Sequence, residues 1–369
     1  GEFNMGGTTE KTRFVINGKI DNAVYKGVPL GTVKWTGNYS NKTLTFDQFT
    51  SDWAENHISG SAILPIVYDL AETEKTWHSE GELLVKTQGS FSSAVFLSTF
   101  LAETDSIVGD INIKLNIRGP TNSLIRDGEI SIDDGSIYTI LMDEPVRNIS
   151  ASATLSDNIM EISLFNSTID DSDLKKKIDN NLNLSGEIDF KRFFEPRYDL
   201  KFLGNNIFYR SLNGDIEGYG DLDLTIIGKD TLEIVGTIKA KNGAIYKEFI
   251  SDQSLRSIEE KGRITTNYNV RFPIEDTFSI RNSQIDAKIT GEMAMSRQFD
   301  SDWNYAGEIE FVEGNIYYYL GDVFEELRGS MILDGEGFNP FLELNASTQI
   351  GDAKIMLGVY GPFDNPEWT

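Results

Sequence analysis

His57 and His78 are the only histidines in this chain of 369 residues, so acid–base or metal chemistry would centre on them. Neither sits in a metal-ligand spacing or a triad-like pattern, and both read as loop or surface residues. Ser167 with Asp170 and Asp171 makes an acidic turn that offers no positioned base to activate a hydroxyl. Asp170-Asp171-Ser172-Asp173 and Asp133-Asp134-Gly135 cluster the oxygen ligands that Ca²⁺ takes. Neither follows an EF-hand or a calcium β-roll repeat, so solvated turns are the better reading. Gly218-Tyr219-Gly220 and Gly335-Glu336-Gly337 lead into no helix carrying the Lys or Ser/Thr of a phosphate loop. Glu325 and Glu326 are neighbours in a strand-like run and would point to opposite faces, which defeats a paired-carboxylate mechanism. The chain has no cysteine, which excludes disulfides, thiolate metal sites and cysteine nucleophiles. The expectation is a protein that is not an enzyme and carries no metal or cofactor.

Charge narrows the partners. Against 33 Lys+Arg stand 58 Asp+Glu, a net charge of -25. Nucleic-acid binding needs a basic patch to displace phosphate counterions. The one basic run, Lys175-Lys176-Lys177, is hemmed in by Asp170, Asp171, Asp173 and Asp179. Nucleic acid is therefore excluded as a partner, and electrostatic docking on anionic membranes is disfavoured. The acidic excess suits a long exposed sheet whose edges must stay apart. No stretch reads as a membrane span; the best, Phe91 to Ala102, is too short and too rich in Ser and Thr. Residues 1–4, Gly1-Glu2-Phe3-Asn4, read as a cloning remnant, leaving 5–369 as a single elongated domain.

Period-two alternation dominates the rest. Ile111, Ile113, Leu115 and Ile117 alternate with Asp110, Asn112, Lys114 and Asn116; Ile130 and Ile132 keep the same rhythm. Leu182, Leu184, Ile188 and Phe190 follow it, then Leu222, Leu224 and Ile226, then Ile238. Ile309 and Phe311 alternate with Glu308 and Glu310, and Leu342 and Leu344 with Glu343 and Asn345. An extended chain points successive side chains to opposite faces, so each segment has one apolar and one polar face. Such alternation marks antiparallel strands, because parallel strands covered on both sides read as continuous apolar runs. Helical signal is thin: Ala94, Leu97, Phe100 and Leu101 would make one short amphipathic helix, and Ser254 to Lys261 is a polar helix or loop. Around twenty strands at about 4.8 Å spacing would extend on the order of 100 Å.

Asn17-Gly18, Asp127-Gly128, Asp134-Gly135, Asn213-Gly214, Asn242-Gly243 and Asp334-Gly335 have the composition of two-residue hairpin tips. A repeat runs through three of these regions. Gly128-Glu129-Ile130 to Gly135-Ser136-Ile137-Tyr138 matches Gly236-Thr237-Ile238 to Gly243-Ala244-Ile245-Tyr246 and Gly307-Glu308-Ile309 to Gly314-Asn315-Ile316-Tyr317. The copies are unevenly spaced, so the reading is a recurrent hairpin in one meander and not a fixed-period solenoid.

This repeat resembles the C-terminal region of the TamB family, in the AsmA-like superfamily, whose recurrent element is Gly-x-Ile/Leu, a short strand, then Gly and a new strand. Arg271-Phe272-Pro273 with Phe278-Ser279-Ile280-Arg281-Asn282 looks like the stretch before the family's last repeats. Ile285-Asp286-Ala287-Lys288-Ile289-Thr290-Gly291 continues in the family's order. Asn339-Pro340-Phe341-Leu342-Glu343-Leu344-Asn345-Ala346, then Val359-Tyr360-Gly361-Pro362 with Asn365-Pro366, is similar to its closing strands. The resemblance covers 110–369. It implies a long antiparallel sheet curled into a U-shaped, taco-like groove with a hydrophobic interior. It further implies a parent protein anchored in the inner membrane of a diderm bacterium, outside these residues, reaching across the periplasm. Phospholipid acyl chains and a TamA-like outer-membrane barrel are the implied partners.

Alternating apolar residues usually build a closed core. Here no second layer is legible: a sandwich would balance two sheets, and a covered sheet would need amphipathic helices. A lone sheet hides its apolar face by curling on itself or by binding something apolar. The leading expectation is a conduit for phospholipids between membranes, with the alternating residues named above, Ile111 through Leu344, lining the groove. The alternative is a chaperone-like module for outer-membrane protein assembly that adds client strands to a free sheet edge, with Lys354 to Tyr360 the candidate edge. A surface adhesin is the more distant third.

Overall fold

The computed structural model describes residues 2–8, 11–25, 28–68, 77–79, 81–93, 104–139, 142–172, 179–192, 195–248, 265–317 and 323–369. The weighed helix at 94–101, the segment 254–261 and the run 175–177 lie outside them. The described residues are all β, in a mostly antiparallel arrangement without helix among them, as the alternation requires. They fall into two compact units, 1–138 with 147–165 and 185–196, and 139–146 with 166–184 and 197–369.

The first unit opens with β1 (Glu2–Thr8), β2 (Lys11–Tyr25), β3 (Val28–Ser40), β4 (Thr43–Trp53) and β5 (Asn56–Leu64), each antiparallel to the next. Glu2, Phe3 and Asn4 pair with Asn17, Ile16 and Val15. β6 (Ile66–Tyr68) and β7 (Trp77–Ser79) form a separate two-stranded ribbon. β8 (Glu82–Ser93) pairs with β5 and with β9 (Thr104–Pro120), which pairs with β10 (Ile125–Thr139). A small core of Phe91, Ile107 and Ile111 gathers Trp53, Ile58, Ile113, Ile132 and Ile137. β11 (Val146–Ser156) and most of β12 (Ile159–Thr168) follow, and β13 (Leu182–Asp189) is divided, with 182–184 in the second unit and 185–189 in the first.

In the second unit β14 (Arg197–Arg210), β15 (Ile216–Gly228) and β16 (Thr231–Ile245) form an antiparallel ladder. β17 (Thr265–Arg281) then joins β16 in parallel, the one exception to the expected antiparallel pairing among the described pairs. Parallel neighbours need a long connection, and the stretch between Ile245 and Thr265 supplies it. β18 (Ile285–Arg297), β19 (Asn304–Tyr317), β20 (Val323–Glu336), β21 (Phe341–Ile350), β22 (Ala353–Pro362) and β23 (Glu367–Trp368) continue the antiparallel ladder.

The hairpin reading of the Asn-Gly and Asp-Gly pairs needs correction. Only Asn213-Gly214, with Gly214 at φ +72, lies at a tip, between β14 and β15; the other five lie inside strands. Two-residue tips fall instead at Asn41-Lys42 and Asp157-Asn158, where both residues of each pair take positive φ. The repeat is accordingly one long strand, seen in β10, β16 and β19, and not a hairpin. In β16 and β19 its second half carries a register shift against the neighbouring strand, at Tyr219/Gly220 and at Lys288/Ile289. A bulge of this kind bends and twists a strand without ending it.

Gly243 shows why glycine is needed there. It lies opposite Gly218, and an added Cβ would stand 2.5 Å from the Gly218 Cα and 2.9 Å from a ring carbon of buried Phe278. Gly243→Val is expected to cost about 1–3 kcal/mol by overpacking. Gly335→Val, where nothing lies within 4 Å of the new Cβ, should be close to neutral. Chemical denaturation of both variants checks this, and equal midpoints would remove the steric account.

Candidate functional site

The most distinctive surface of the second unit is built from in-register apolar side chains. Leu200, Ile226, Ile234 and Tyr268 lie in one row across β14 to β17; Phe202, Leu224, Gly236 and Val270 lie in the next; Gly204, Leu222 and Ile238 in the third. Alternation puts these rows on one face. Leu200 and Val270 are buried, whereas Phe202, Leu222, Leu224, Ile226, Ile234 and Ile238 are half-buried. Ion pairs span the opposite face, among them Lys201–Asp223 at 3.4 Å, Lys241–Asp221 at 2.6 Å, Lys239–Glu275 at 2.6 Å and Arg271–Glu292. Exposed pairs of this sort contribute little stability each, but they keep that face wet and its parity fixed. Asp221 also accepts the Asn206 N–H where β14 shifts register. Desolvation raises its pKa, and the hydrogen bonds from Lys241 and Asn206 outweigh this and hold it below the ordinary aspartate value.

The same face continues into β18 to β22 in a different state. Ile289, Phe311, Gly329, Leu344 and Val359 form one row, and Gly291, Ile309, Met331, Leu342 and Gly361 the next. Here the side chains are sealed: Ile289 and Leu327 are 0% exposed, Leu344 4% and Ala346 2%. One cluster runs from Phe278 and Ile280 to Val359. No helix covers it among the described residues; Phe363, beyond the end of β22, packs against it together with Ala240, Ile245, Ile274 and Tyr305. Gly329 marks a tight point, at φ +140 with the Glu343 carbonyl where a Cβ would stand.

The expected lining residues thus divide. Ile111 and Leu182 are buried, as are Ile309, Phe311, Leu342 and Leu344 in the closed cluster. Ile113, Leu115, Ile117, Ile130, Ile132, Leu184, Ile188 and Phe190 are half-buried, like Leu222, Leu224, Ile226 and Ile238.

Ser167, Asp170, Asp171, Glu326 and His57, among the residues that could do chemistry, are engaged in structural contacts. Ser167 is fully buried and donates to the Leu182 carbonyl. Asp171 faces Arg210 at 3.6 Å, and Asp170 accepts the Asp171 N–H; Asp173 lies outside the described residues. No group of three or more potential metal ligands occurs among the described residues. Glu326 accepts bonds from Lys354 and Ser347, which hold its carboxyl below the usual value. His57, expected at the surface, is half exposed, and its Nδ1 lies 2.6 Å from the equally exposed Asp52 across the β4–β5 turn. Ser90 is its cross-strand neighbour on β8. Three strands bring these residues together, a register that spacing alone does not reveal. At the expected edge, β22 has Ile355 and Met356 exposed, and β23 pairs with it at Val359 and Tyr360. No helix of the described residues is long and apolar enough to cross a membrane.

One unbroken apolar face, half open and half sealed, against a face laced with ion pairs defines an all-β sheet protein whose distinctive feature is extended apolar surface. The TamB C-terminal domain matches residues 170–369, more than half of the chain, and the chain belongs to the TamB family. That family comprises transport and assembly modules of the bacterial envelope and not enzymes. No curated protein matches the chain.

Proposed function

We propose that the chain conducts phospholipids between the inner and outer membranes, as part of a periplasmic groove whose parent protein is anchored in the inner membrane. The half-buried rows on β14 to β16 carry this reading. Phe202, Leu222, Leu224, Ile226, Ile234 and Ile238 present contiguous apolar surface that their own sheet does not finish covering. Acyl chains lying against them would leave water at about 0.8 kcal/mol per CH₂, so a chain of about sixteen carbons gains on the order of 12 kcal/mol. Such a track needs no catalytic group, only continuity. In this reading Ile309, Phe311, Leu342 and Leu344 pack the frame and the half-buried residues meet lipid.

Native mass spectrometry of the protein, released from mild detergent, is expected to show adducts of phospholipid mass that organic extraction removes. Lipid-free protein after expression in a diderm host would overturn the reading. It would leave strand addition at the exposed Ile355–Met356 edge of β22, whose signature is capture of an added TamA-like barrel.

A further inference from the structure

A second feature lies on the opposite kind of surface, in the first unit. β2, β3 and β4 place Lys19 directly across from Lys34, and Lys34 across from Thr50. Asn17 stands across from Thr36, and Thr36 from Gln48. Alternation puts all six on one face. They line an open depression of about 750 Å³.

Two ammonium groups directly opposed on an antiparallel pair repel each other. Lys19 is answered by Asp21 at 2.8 Å, and that carboxylate also accepts the Thr32 hydroxyl. Asp52, at the rim, is engaged by His57. Lys34 makes no salt bridge among the described residues, and only the longer-range attraction of the Asp21 carboxylate, shared with Lys19, offsets its charge. Its surroundings are the hydroxyls of Thr36 and Thr50 and the amides of Asn17 and Gln48, all able to donate hydrogen bonds.

We propose that this depression seats a phosphate group, with Lys34 as its principal cation and the surrounding hydroxyls and amides as neutral donors. A tetrahedral oxyanion relieves the Lys19–Lys34 repulsion and takes charge-assisted bonds from one or both ammonium groups. The carboxylates of Asp21 and Asp52 flank the seat, which favours a single phosphate over a polyanion. The depression is larger than an inorganic phosphate, leaving room for an ester substituent. The inference is independent of the apolar face on β14 to β16, and either reading can fail alone.

Isothermal titration at low salt tests it with two probes: inorganic phosphate, and a soluble short-chain glycerophospholipid below its micelle concentration. Saturable binding of either is expected, weakened at least tenfold in Lys34→Gln and unchanged in Lys86→Gln. Tighter binding of the short-chain lipid identifies a headgroup as the ligand; equal or weaker binding identifies a free phosphate or another phosphate ester. Lys34→Gln removes a like-charge pair, so it should melt no lower than the parent, which separates lost binding from lost folding. No saturation by either probe, or equal affinity in Lys34→Gln, would overturn the assignment.

Discussion

Leu344→Arg is expected to abolish cooperative folding of the second unit, while Leu224→Arg leaves it folded and strips it of bound lipid. Both positions are leucines in alternating strands, flanked by acidic or polar neighbours, and both lie on apolar rows. Their surroundings differ. Leu344 is 4% exposed, lies between Gly329 and Val359 in the ladder, and belongs to the closed cluster. An arginine there buries an unpaired charge, at a cost of several kcal/mol that rivals the whole stability of many domains. Leu224 lies between Phe202 and Gly236 and keeps part of its surface open. An arginine at this position can turn its guanidinium outward while its stem covers the row. Circular dichroism melts give the folding arm and native mass spectrometry the lipid arm. Asp223→Arg, on the exposed face one residue away, is the mild control. If Leu224→Arg unfolds with Asp223→Arg intact, that row is sealed and the conduit loses its physical basis there.

This contrast marks the boundary of what the chain reveals before it folds. Parity reads directly from alternation, because an extended backbone permits only two directions for a side chain. That is why Leu222, Leu224 and Ile226 could be placed on one face, and why the all-β fold was legible without any motif. Whether a face is covered depends on what residues distant in the chain pack against it, and Leu224 and Leu344 carry the same local pattern. The Asn-Gly and Asp-Gly pairs misled for a related reason. A hairpin tip needs glycine for its φ, as at Gly214, and a crowded ladder needs it for the missing Cβ, as at Gly243 facing Gly218. Composition cannot separate those two demands. The parallel pairing of β16 with β17 was equally hidden, since Leu232, Ile234 and Ile238 on one face of β16 alternate as they would beside an antiparallel neighbour.

Arg210 was invisible for a third reason, because its partners are scattered along the chain, and it carries the other large expected effect. Its guanidinium meets Glu217 at 3.2 Å across the β14–β15 pair, Asp171 at 3.6 Å, Glu144 at 3.7 Å and Asp143 at 4.0 Å. It also lies 5.0 Å from the centre of the buried Phe208 ring. Glu144 is 3% exposed, and its carboxylate accepts the N–H and hydroxyl of Ser172 as well. The Asp143 N–H in turn donates to the Arg210 carbonyl. One cation thus joins 143–144 and 171–172 to the end of β14, beside the strands that carry the half-buried rows. Arg210→Met keeps the stem over Phe208 but leaves a buried carboxylate without this counter-charge, and should cost about 3–5 kcal/mol. Adding Glu144→Gln removes the stranded charge while keeping the side chain's shape, so the double variant should recover a large part of that loss. A cycle of urea midpoints over the two single variants and the double variant measures the coupling. If Arg210→Met melts within about 0.5 kcal/mol of the parent, these contacts are ordinary surface pairs worth what exposed pairs usually contribute. A loss that Glu144→Gln restores would show that the join is held by one buried charge and its counter-ion.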